Sequence, residues 1–334
     1  MAVLQPLSIG EIVDRSASFW RSNWRGLFQL LLGFQLVQYI LVKSLELIVD
    51  RSFPAAKNPA QFVELLKTEP STWTPQAFSL IAPLALIGLV YAFVGQVSGV
   101  ALTSFVYPRL TRLGAPAVGD AVKVSLRRLW PTLGMFFLSL AWSVVVGLLF
   151  MLPGSLAVGA GVFLSLNDNR GVGAGLFLLG TGLLLAGGVV LILWSIIRFV
   201  LASQVLAVEE VSALGCFKRT GALSSGRIGP GFMGLVKGRL TVLITIIAFI
   251  LMVVGLVTGL PELLVKALFG ELNPASPGAP PAPQALVVPA QLLQVVVGAA
   301  MAPLYVVFQV VFYVDMRVRR EGLDLELATK AVGA

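Results

Sequence analysis

The chain of 334 residues is 57% apolar and only 12% charged, and its formal net charge is +8. Because a soluble domain has about 25% charged residues, this composition excludes a protein whose whole surface faces water. We attribute the positive charge to the orientation of membrane helices, and we do not expect nucleic acid as a partner.

Six apolar stretches are each long enough to cross a bilayer core, which takes about 20 helical residues. The first is too long for the apolar part of a signal peptide and follows the acidic residues Glu11 and Asp14, so we expect no cleaved signal. Residues 153–166 fit either an extension of the third helix or a short re-entrant segment. The predicted spans are residues 26–48, 78–106, 133–156, 176–205, 240–260 and 287–314.

The basic residues indicate how these helices are oriented. Of the 24 Lys and Arg residues, 17 lie before the first span, after the last span, or in the second and fourth connections, and five lie in the other connections. Because Lys and Arg concentrate on the cytoplasmic side of membrane proteins, we predict that both termini are cytoplasmic.

The connections on the opposite side have the composition of ordinary loops. Residues 50–76 are polar and mixed in charge, and a short helix is predicted at 61–67. Residues 167–170 are predicted to form a tight turn. Residues 273–283 are rich in proline and are predicted to be an extended connector, with a ligand-binding loop as the alternative.

Three segments on the basic side resemble one another, namely residues 8–12, 117–121 and 207–211. Each reads small, aliphatic, variable, acidic and apolar, and each is followed by aromatic and basic residues and then by a pair of spans. We therefore predict one all-α membrane domain over residues 1–334, with six transmembrane helices as three tandem helical hairpins, each preceded by a cytoplasmic amphipathic helix. The repeat units are predicted at about 6–106, 115–206 and 207–316, with a cytoplasmic tail at 317–334.

The first copy shows why such a helix forms. Ser8 and Glu11 have the spacing of a capping box, and Leu7 and Ile12 are placed as a hydrophobic staple. Apolar and aromatic residues then recur on one face, which is typical of a helix lying on the inner leaflet, with basic side chains at lipid phosphates. The alternative is an entry helix that packs on the bundle without lipid specificity. The predicted headgroup-binding residues of the three copies are Arg15, Arg21, Arg25, Arg127, Arg128, Lys218 and Arg219.

Several polar residues lie inside the apolar stretches. Lys43 and Glu46 are one helical turn apart and are predicted to form an interfacial ion pair, with a transport site as the alternative. Arg198 is the main candidate for a buried polar contact, and snorkelling to the headgroups is the alternative. The glutamines of the even-numbered helices predict either interhelical hydrogen bonds or a polar seam; they are Gln96, Gln204 and Gln309.

Small residues and prolines predict local features of the helices. Prolines 83 and 303 are predicted to kink the second and sixth helices. Pairs of small residues four positions apart are predicted to allow close helix approach or dimerisation. These pairs are Gly95 and Gly99, Gly171 and Gly175, Gly182 and Ala186, and Gly255 and Gly259.

Enzyme signatures are absent from the sequence. We find no phosphate-binding loop, zinc-protease motif or nucleophile elbow, and the chain has no histidine. Its single cysteine, Cys216, excludes an internal disulfide and a thiolate metal cluster. Charged residues are not expected to converge in any apolar segment, and the acidic pair Glu209 and Glu210 is predicted to cap a helix. We predict no catalytic, cofactor or metal site.

Both ends of the chain resemble a known family. The opening PLSIGEIVDRSASFWRSNWRGLF (residues 6–28) and the close VDMRVRREGLDLELA (residues 314–328) are similar to bacterial multispanning proteins related to the membrane domain of some glycerophosphoryl diester phosphodiesterases. The resemblance implies a six-helix fold in a bacterial cytoplasmic membrane. It does not imply phosphodiesterase activity, which needs a separate domain with histidines and acidic metal ligands.

The function that these features predict is not enzymatic. We expect a scaffold, accessory subunit or lipid-interacting module, with anionic lipids and a membrane protein or a second copy of the chain as partners. A transporter or channel for a small or amphiphilic solute is the alternative, because tandem helix pairs are compatible with transport.

Overall fold

The computed structural model describes residues 5–52, 70–167, 169–271 and 282–332. Across these ranges the chain is helical, with no β-strand and one isolated antiparallel bridge between Arg227 and Leu235. The helices are α1 (Ile9–Ser52), α2 (Pro70–Leu110), α3 (Val118–Arg127), α4 (Leu129–Leu166), α5 (Arg170–Phe199), α6 (Ala202–Val208), α7 (Ala213–Leu223), α8 (Val236–Leu268), α9 (Gln284–Met301), α10 (Pro303–Glu321) and α11 (Leu323–Val332).

Six helical segments within the described residues are long and apolar enough to cross a membrane. Their apolar surface is extensive, as in α4, where Leu148, Leu149 and Leu152 are each more than half exposed. Side chains of this kind need lipid around them, so the chain has the helices of a multi-pass membrane protein. The segments are Ile9–Val49, Ser79–Leu110, Leu129–Leu166, Arg170–Val208, Val236–Leu268 and Gln284–Glu321.

The structure agrees with the predicted spans and extends them. Residues 153–166 continue α4 as helix to Leu166, so the re-entrant alternative is wrong. At the connection predicted as a tight turn, α4 ends at Leu166 and α5 begins at Arg170, with Asn167 and Asn169 flanking the two helix ends; Asp168 lies outside the described residues. The helix predicted at 61–67 and most of the proline-rich segment 273–283 lie outside the described residues.

Helix α1 is one continuous helix of 44 residues, with no proline between its ends. At 1.5 Å per residue it is about 66 Å long, more than twice the bilayer core. The predicted amphipathic segment and the first span are therefore parts of one helix, with no break between them.

Proline explains two of the helix interruptions. Pro131 has no N–H to donate to the carbonyl of Arg127, and α3 ends there before α4 begins at Leu129. Pro303 also lacks a backbone N–H, and it directly follows the interruption at Ala302 between α9 and α10, where the sequence predicts a kink. Pro83 lies inside the continuous helix α2.

The chain divides into two compact units, and the first unit comprises Gln5–Arg127 with Leu243–Asp315. In this unit α1 packs along α2 and α9, and α3 packs on α2. The indole N–H of Trp20 donates to the carbonyl of Ala300 at 2.9 Å, and the backbone N–H of Leu7 donates to the buried carboxylate of Asp315 at 2.7 Å. These bonds fix the start of α1.

The second unit comprises Met1–Leu4, Arg128–Val242 and Met316–Ala334, and its main feature is the hairpin of α4 and α5. Six buried glycines, spaced seven residues apart on each helix, form the contact, which we call the glycine seam. A Cβ atom on Gly154 would lie 2.8 Å from the backbone nitrogen of Leu184, and one on Gly180 would lie 2.5 Å from that of Val158. The seam is Gly147, Gly154 and Gly161 on α4, and Gly173, Gly180 and Gly187 on α5.

The glycine pairs predicted from the sequence are not the ones that make this contact. Added Cβ atoms on Gly171, Gly175 and Gly182 would meet no described atom within 4 Å, and the same holds for Gly255 on α8. Close helix approach within the chain is therefore wrong for these positions, because α5 buries the face that carries the heptad-spaced glycines and its four-residue pairs lie on another face. Dimerisation through these pairs stays a prediction.

Candidate functional site

The starts of α1, α3 and α7 are capped by local side chains. The backbone N–H of Ser8 donates to Glu11 Oε2 at 2.6 Å, and Ser8 Oγ accepts from the Glu11 N–H at 3.3 Å, which confirms the predicted capping box. At α3 the Ala117 N–H donates to Asp120 Oδ2 at 3.4 Å. At α7 the cap is Ser212, whose Oγ accepts from the Gly215 N–H at 3.3 Å.

The segment predicted as the third copy of the repeat does not begin a helix. Residues 207–211 cover the end of α6 at Val208, and α7 begins only at Ala213. The acidic pair does not cap α7: Glu209 follows the end of α6, and both carboxylates bind arginines. Sequence similarity could not show this because the Ser212 start has no acidic residue three positions later.

The same two positions are buried at the start of each of these helices. The residues four and eight positions after Ser8, after Ala117 and after Ser212 are at most 1% exposed. The eighth residue always carries a hydroxyl, and in α1 and α3 that hydroxyl bonds its own helix backbone. The predicted staple residue Ile12 is one of these positions, which are Ile12 and Ser16, Ala121 and Ser125, and Cys216 and Thr220.

Two of the predicted headgroup-binding residues of the second unit, Arg128 and Arg219, are ion-paired. Arg128 lies 2.8 Å from Glu210, and Arg219 lies 2.8 Å from Glu209 and also binds Glu321. Burial alone would lower the pKa of Arg219, but hydrogen bonds and charge from the two carboxylates outweigh it and raise the pKa. These guanidiniums are therefore occupied by protein carboxylates.

Lys218 differs from its neighbours in the second unit. Its side chain is exposed and forms no ion pair with any residue that the structure describes. Of the three headgroup candidates in this unit, only Lys218 is free to meet an external anion.

Arg198 lies in an aromatic cluster of the second unit. Its guanidinium carbon is 4.9 Å from the ring centre of Phe217 and 5.8 Å from that of Phe199, and Nη2 donates to the Phe217 carbonyl at 3.4 Å. A Cβ atom on Gly221 would lie only 1.5 Å from Nη1, so the glycine provides the space for the guanidinium. Such packing is typical of a structural cation–π contact.

The three glutamines do not share one hydrogen-bonded chain. Gln204 is fully buried and accepts from Ser203 at 3.2 Å, and Gln309 bonds the hydroxyl of Tyr305. Gln96 Oε1 is buried and has no hydrogen-bond partner among the described residues. Both of these contacts lie within one helix, α6 for Gln204 and α10 for Gln309, and the interhelical hydrogen bonds stay a prediction.

Charged groups do converge in one apolar segment, contrary to the prediction. In the first unit, Glu262 binds Lys266 on the same helix at 2.7 Å and accepts from Gln291 and Gln294 of α9, each at 3.1 Å. Sequence analysis ended this span at residue 260, whereas α8 continues to Leu268 and carries both charges within the helix. The predicted pair of Lys43 and Glu46 also forms, at 2.6 Å.

The first unit contains a groove of about 600 Å³ whose charged lining is entirely basic, and we call it the arginine groove. Arg21 and Arg25 reach it from α1, and Arg109 reaches it from the end of α2. None of the three forms an ion pair with a described residue. Trp24 and Phe105 supply its aromatic surface.

Arg109 is held in place by an aromatic ring. Its guanidinium carbon lies 3.6 Å from the ring centre of Phe105, and Nη1 is buried without a hydrogen-bond partner in the described structure. Phe105 in turn packs against Gly26, where a Cβ atom would lie 2.5 Å from the ring tip. Sequence analysis used Arg109 only to count charges, and the signal that it missed was the aromatic residue four positions earlier.

A second cavity of about 560 Å³ adjoins this groove and shares Arg109 with it. Its charges are mixed, because Glu11 and Asp14 line it beside Arg15 and Arg112. Arg15 therefore lies next to acidic side chains, and Arg127 is exposed on α3. The concentration of uncompensated positive charge is in the arginine groove.

The described residues were searched for metal ligands and reactive groups. No three His, Cys, Asp or Glu side chains within them come together as metal ligands. Burial raises the pKa of the Cys216 thiol to about 12, with Glu209 adding to the rise and Thr220 opposing it. A thiol with this pKa is protonated at neutral pH and is a poor nucleophile.

Comparisons with family models, curated proteins and solved structures found no match for this chain.

Proposed function

We propose that this chain is a non-enzymatic polytopic protein of a bacterial cytoplasmic membrane, acting as a lipid-interacting scaffold or accessory subunit. Both termini lie in the cytoplasm in this proposal, which rests on the distribution of Lys and Arg. The absence of histidine from the sequence and the protonated state of Cys216 support a role without catalysis. The partners are anionic lipids and a membrane protein or a second copy of the chain.

The proposed architecture is three helical hairpins, each entered through an amphipathic helix. The support is the pair of positions buried alike at the starts of α1, α3 and α7. The resemblance of residues 6–28 and 314–328 to the membrane domain of some glycerophosphoryl diester phosphodiesterases supports the same arrangement. We propose membership of that family without its enzyme activity.

The observation that carries the lipid role is the unequal pairing of the arginines. In the second unit Arg128 and Arg219 are bound to protein carboxylates, whereas in the first unit Arg21 and Arg25 have no described ion-pair partner. A basic residue at a membrane surface is attracted to anionic lipid by about 1 kcal/mol, provided that no protein acid neutralises it. The first unit therefore has the surface that favours an anionic leaflet.

Lipid selectivity of the full-length protein tests this role. Reconstituted in mixed bilayers, the protein should associate with spin-labelled phosphatidylglycerol more than with spin-labelled phosphatidylcholine. The preference should fall as salt rises, because screening weakens exposed charges. Equal association of the two lipids at low salt would remove the lipid role and leave only scaffolding.

One observation favours a transporter or channel as the second candidate. The cluster places the ion pair of Glu262 and Lys266 in one candidate span and its partners Gln291 and Gln294 in another, and intramembrane charges often mark ion pathways. The test is the ionic conductance of the wild-type protein and of Glu262→Gln in planar bilayers. Wild-type conductance that the substitution abolishes would favour this candidate over the scaffold.

A further inference from the structure

We propose that the arginine groove is a stoichiometric binding site for the phosphate group of one anionic phospholipid. The inference rests on the proposed function and goes beyond it, since attraction of anionic lipid to a basic surface requires no defined site. Here the charges belong to one cavity, and the ligand is a phosphate that meets several guanidiniums at once.

The charge of the groove selects an anion. Three arginines line it, and none of its described lining residues is acidic. Guanidinium is the cation suited to phosphate, because its fixed fork of N–H groups meets two oxygens together. Glu11 and Asp14 line neighbouring cavities, one of which Asp14 shares with Arg21, and Glu11 already accepts the Ser8 N–H.

Arg109 is the preorganised side chain of the site, held in position before a ligand binds. The Phe105 ring holds its guanidinium at 3.6 Å, and Gly26 leaves room for that ring. A side chain fixed before binding loses less conformational entropy when the ligand arrives. Arg21 and Arg25 are exposed and supply charge from the facing helix.

The position of the groove favours a lipid over a free phosphate. Arg109 lies at the end of the apolar span Ser79–Leu110, and Arg21 and Arg25 lie just before the predicted start of the first span. Trp24 is 49% exposed beside them, and half-exposed tryptophan is typical of the headgroup level. A phosphate bound here would be continuous with acyl chains along the apolar faces of α1 and α2.

Native mass spectrometry of the full-length protein in neutral detergent tests the site. We expect one saturable phosphatidylglycerol molecule, bound at least about ten times more tightly than phosphatidylcholine. Arg109→Gln should weaken this binding at least about tenfold, since a hydrogen bond to a charged group is lost. Arg109→Lys should also weaken it, because an ammonium cannot stack and fork as guanidinium does.

Two further variants test whether weaker binding reflects a defined site, rather than a change in overall charge or misfolding. Arg25→Gln changes an exposed side chain and should weaken binding without affecting the fold. Arg127→Gln removes the same charge from α3, outside the groove, and should change the dissociation constant less than about twofold. Equal weakening by Arg127→Gln and Arg109→Gln, or the absence of a saturable site, would overturn the proposal.

The remaining outcomes show whether the ligand is a lipid or free phosphate, and whether the site alone or the whole lipid role is wrong. If millimolar inorganic phosphate binds alone and displaces the lipid with the same dependence on Arg109, the lipid assignment is overturned. If phosphatidylglycerol is still preferred but Arg109→Gln has no effect, the site is wrong and the lipid role stands. If the wild-type protein shows no preference for phosphatidylglycerol, both fail.

Discussion

The contact between Arg198 and Gly221 shows how one missing side chain creates room for a charge inside an apolar segment. Gly221→Ala would place a methyl group where Nη1 now lies, so we expect it to lower the thermal unfolding temperature in detergent. The guanidinium can move aside, so the cost is the loss of its contact with Phe217, about 0.5–2 kcal/mol for a cation–π contact. Arg198→Leu should also lower the unfolding temperature, and the double variant should lose less than the sum because both changes disrupt one contact.

Gly159→Ala is the matched control for this prediction. A Cβ atom on Gly159 would meet no described atom within 4 Å, and alanine is the better helix former by about 1 kcal/mol. The control should therefore be neutral or stabilising. Wild-type stability of both Gly221→Ala and Arg198→Leu would show that the cation–π contact contributes nothing.

Cys216 should be unreactive in the folded protein although it is the only thiol. With a pKa of about 12 it stays protonated at pH 7.5, and at pH 9 only about one thiol in a thousand would ionise. We expect negligible modification by a maleimide until the chain unfolds. The control is Ala222→Cys on the exposed side of the same helix, in a Cys216→Ser background, which should react rapidly and faster as the pH rises from 7 to 9.

At the residue scale, sequence predicted local pairs better than distant ones. The capping box of Ser8 and Glu11 and the pair of Lys43 and Glu46 depend only on helical spacing, which the sequence displays. The contact of Arg219 with Glu321 joins distant parts of the chain, and no spacing rule reveals it. The same limit hid the aromatic cluster around Arg198.

At the scale of elements, the hairpin of α4 and α5 depends on the glycine seam. Gly154→Ala should destabilise the protein because the added methyl group meets the backbone and side chain of Leu184 at 2.8 Å. Backbone atoms cannot move aside as a side chain can, so we expect a loss of about 1–3 kcal/mol. The measurement is the unfolding temperature in detergent, with exposure of Cys216 to a thiol-reactive dye as the reporter.

Gly182→Ala, on the same hairpin, tests whether position matters. This glycine meets no described atom within 4 Å, so its substitution should not lower the unfolding temperature. Equal effects of Gly154→Ala and Gly182→Ala would contradict the assignment of the seam.

The seam also shows why hydropathy alone could not predict helix pairing. Several glycine pairs four positions apart compete with the heptad-spaced set in the sequence, and the choice depends on which face of α5 meets α4. That choice follows from backbone distances, which composition does not contain. Helix existence was predictable because each span is an apolar run of sufficient length.

At the scale of the whole molecule, the basic bias predicts the topology. Reporter domains that are active only outside the cytoplasm should be active when fused after Lys57 and after Pro280, and silent after Gly119. The reason is the excess of Lys and Arg in the second and fourth connections. Activity at Gly119 would overturn the orientation and with it the cytoplasmic position of the arginine groove.

The glycine seam has a mechanical consequence for the second unit. Because its contacts recur every seven residues, α5 can regain them only by sliding along α4 by about 10.5 Å, and any smaller slide brings side chains against backbone where only hydrogen fits. We therefore expect α4 and α5 to move together as one rigid body, so that a displacement of the helix ends near Asn167 also displaces the opposite end of the hairpin. The helix interruptions at Arg128 and Leu201 lie at that other end.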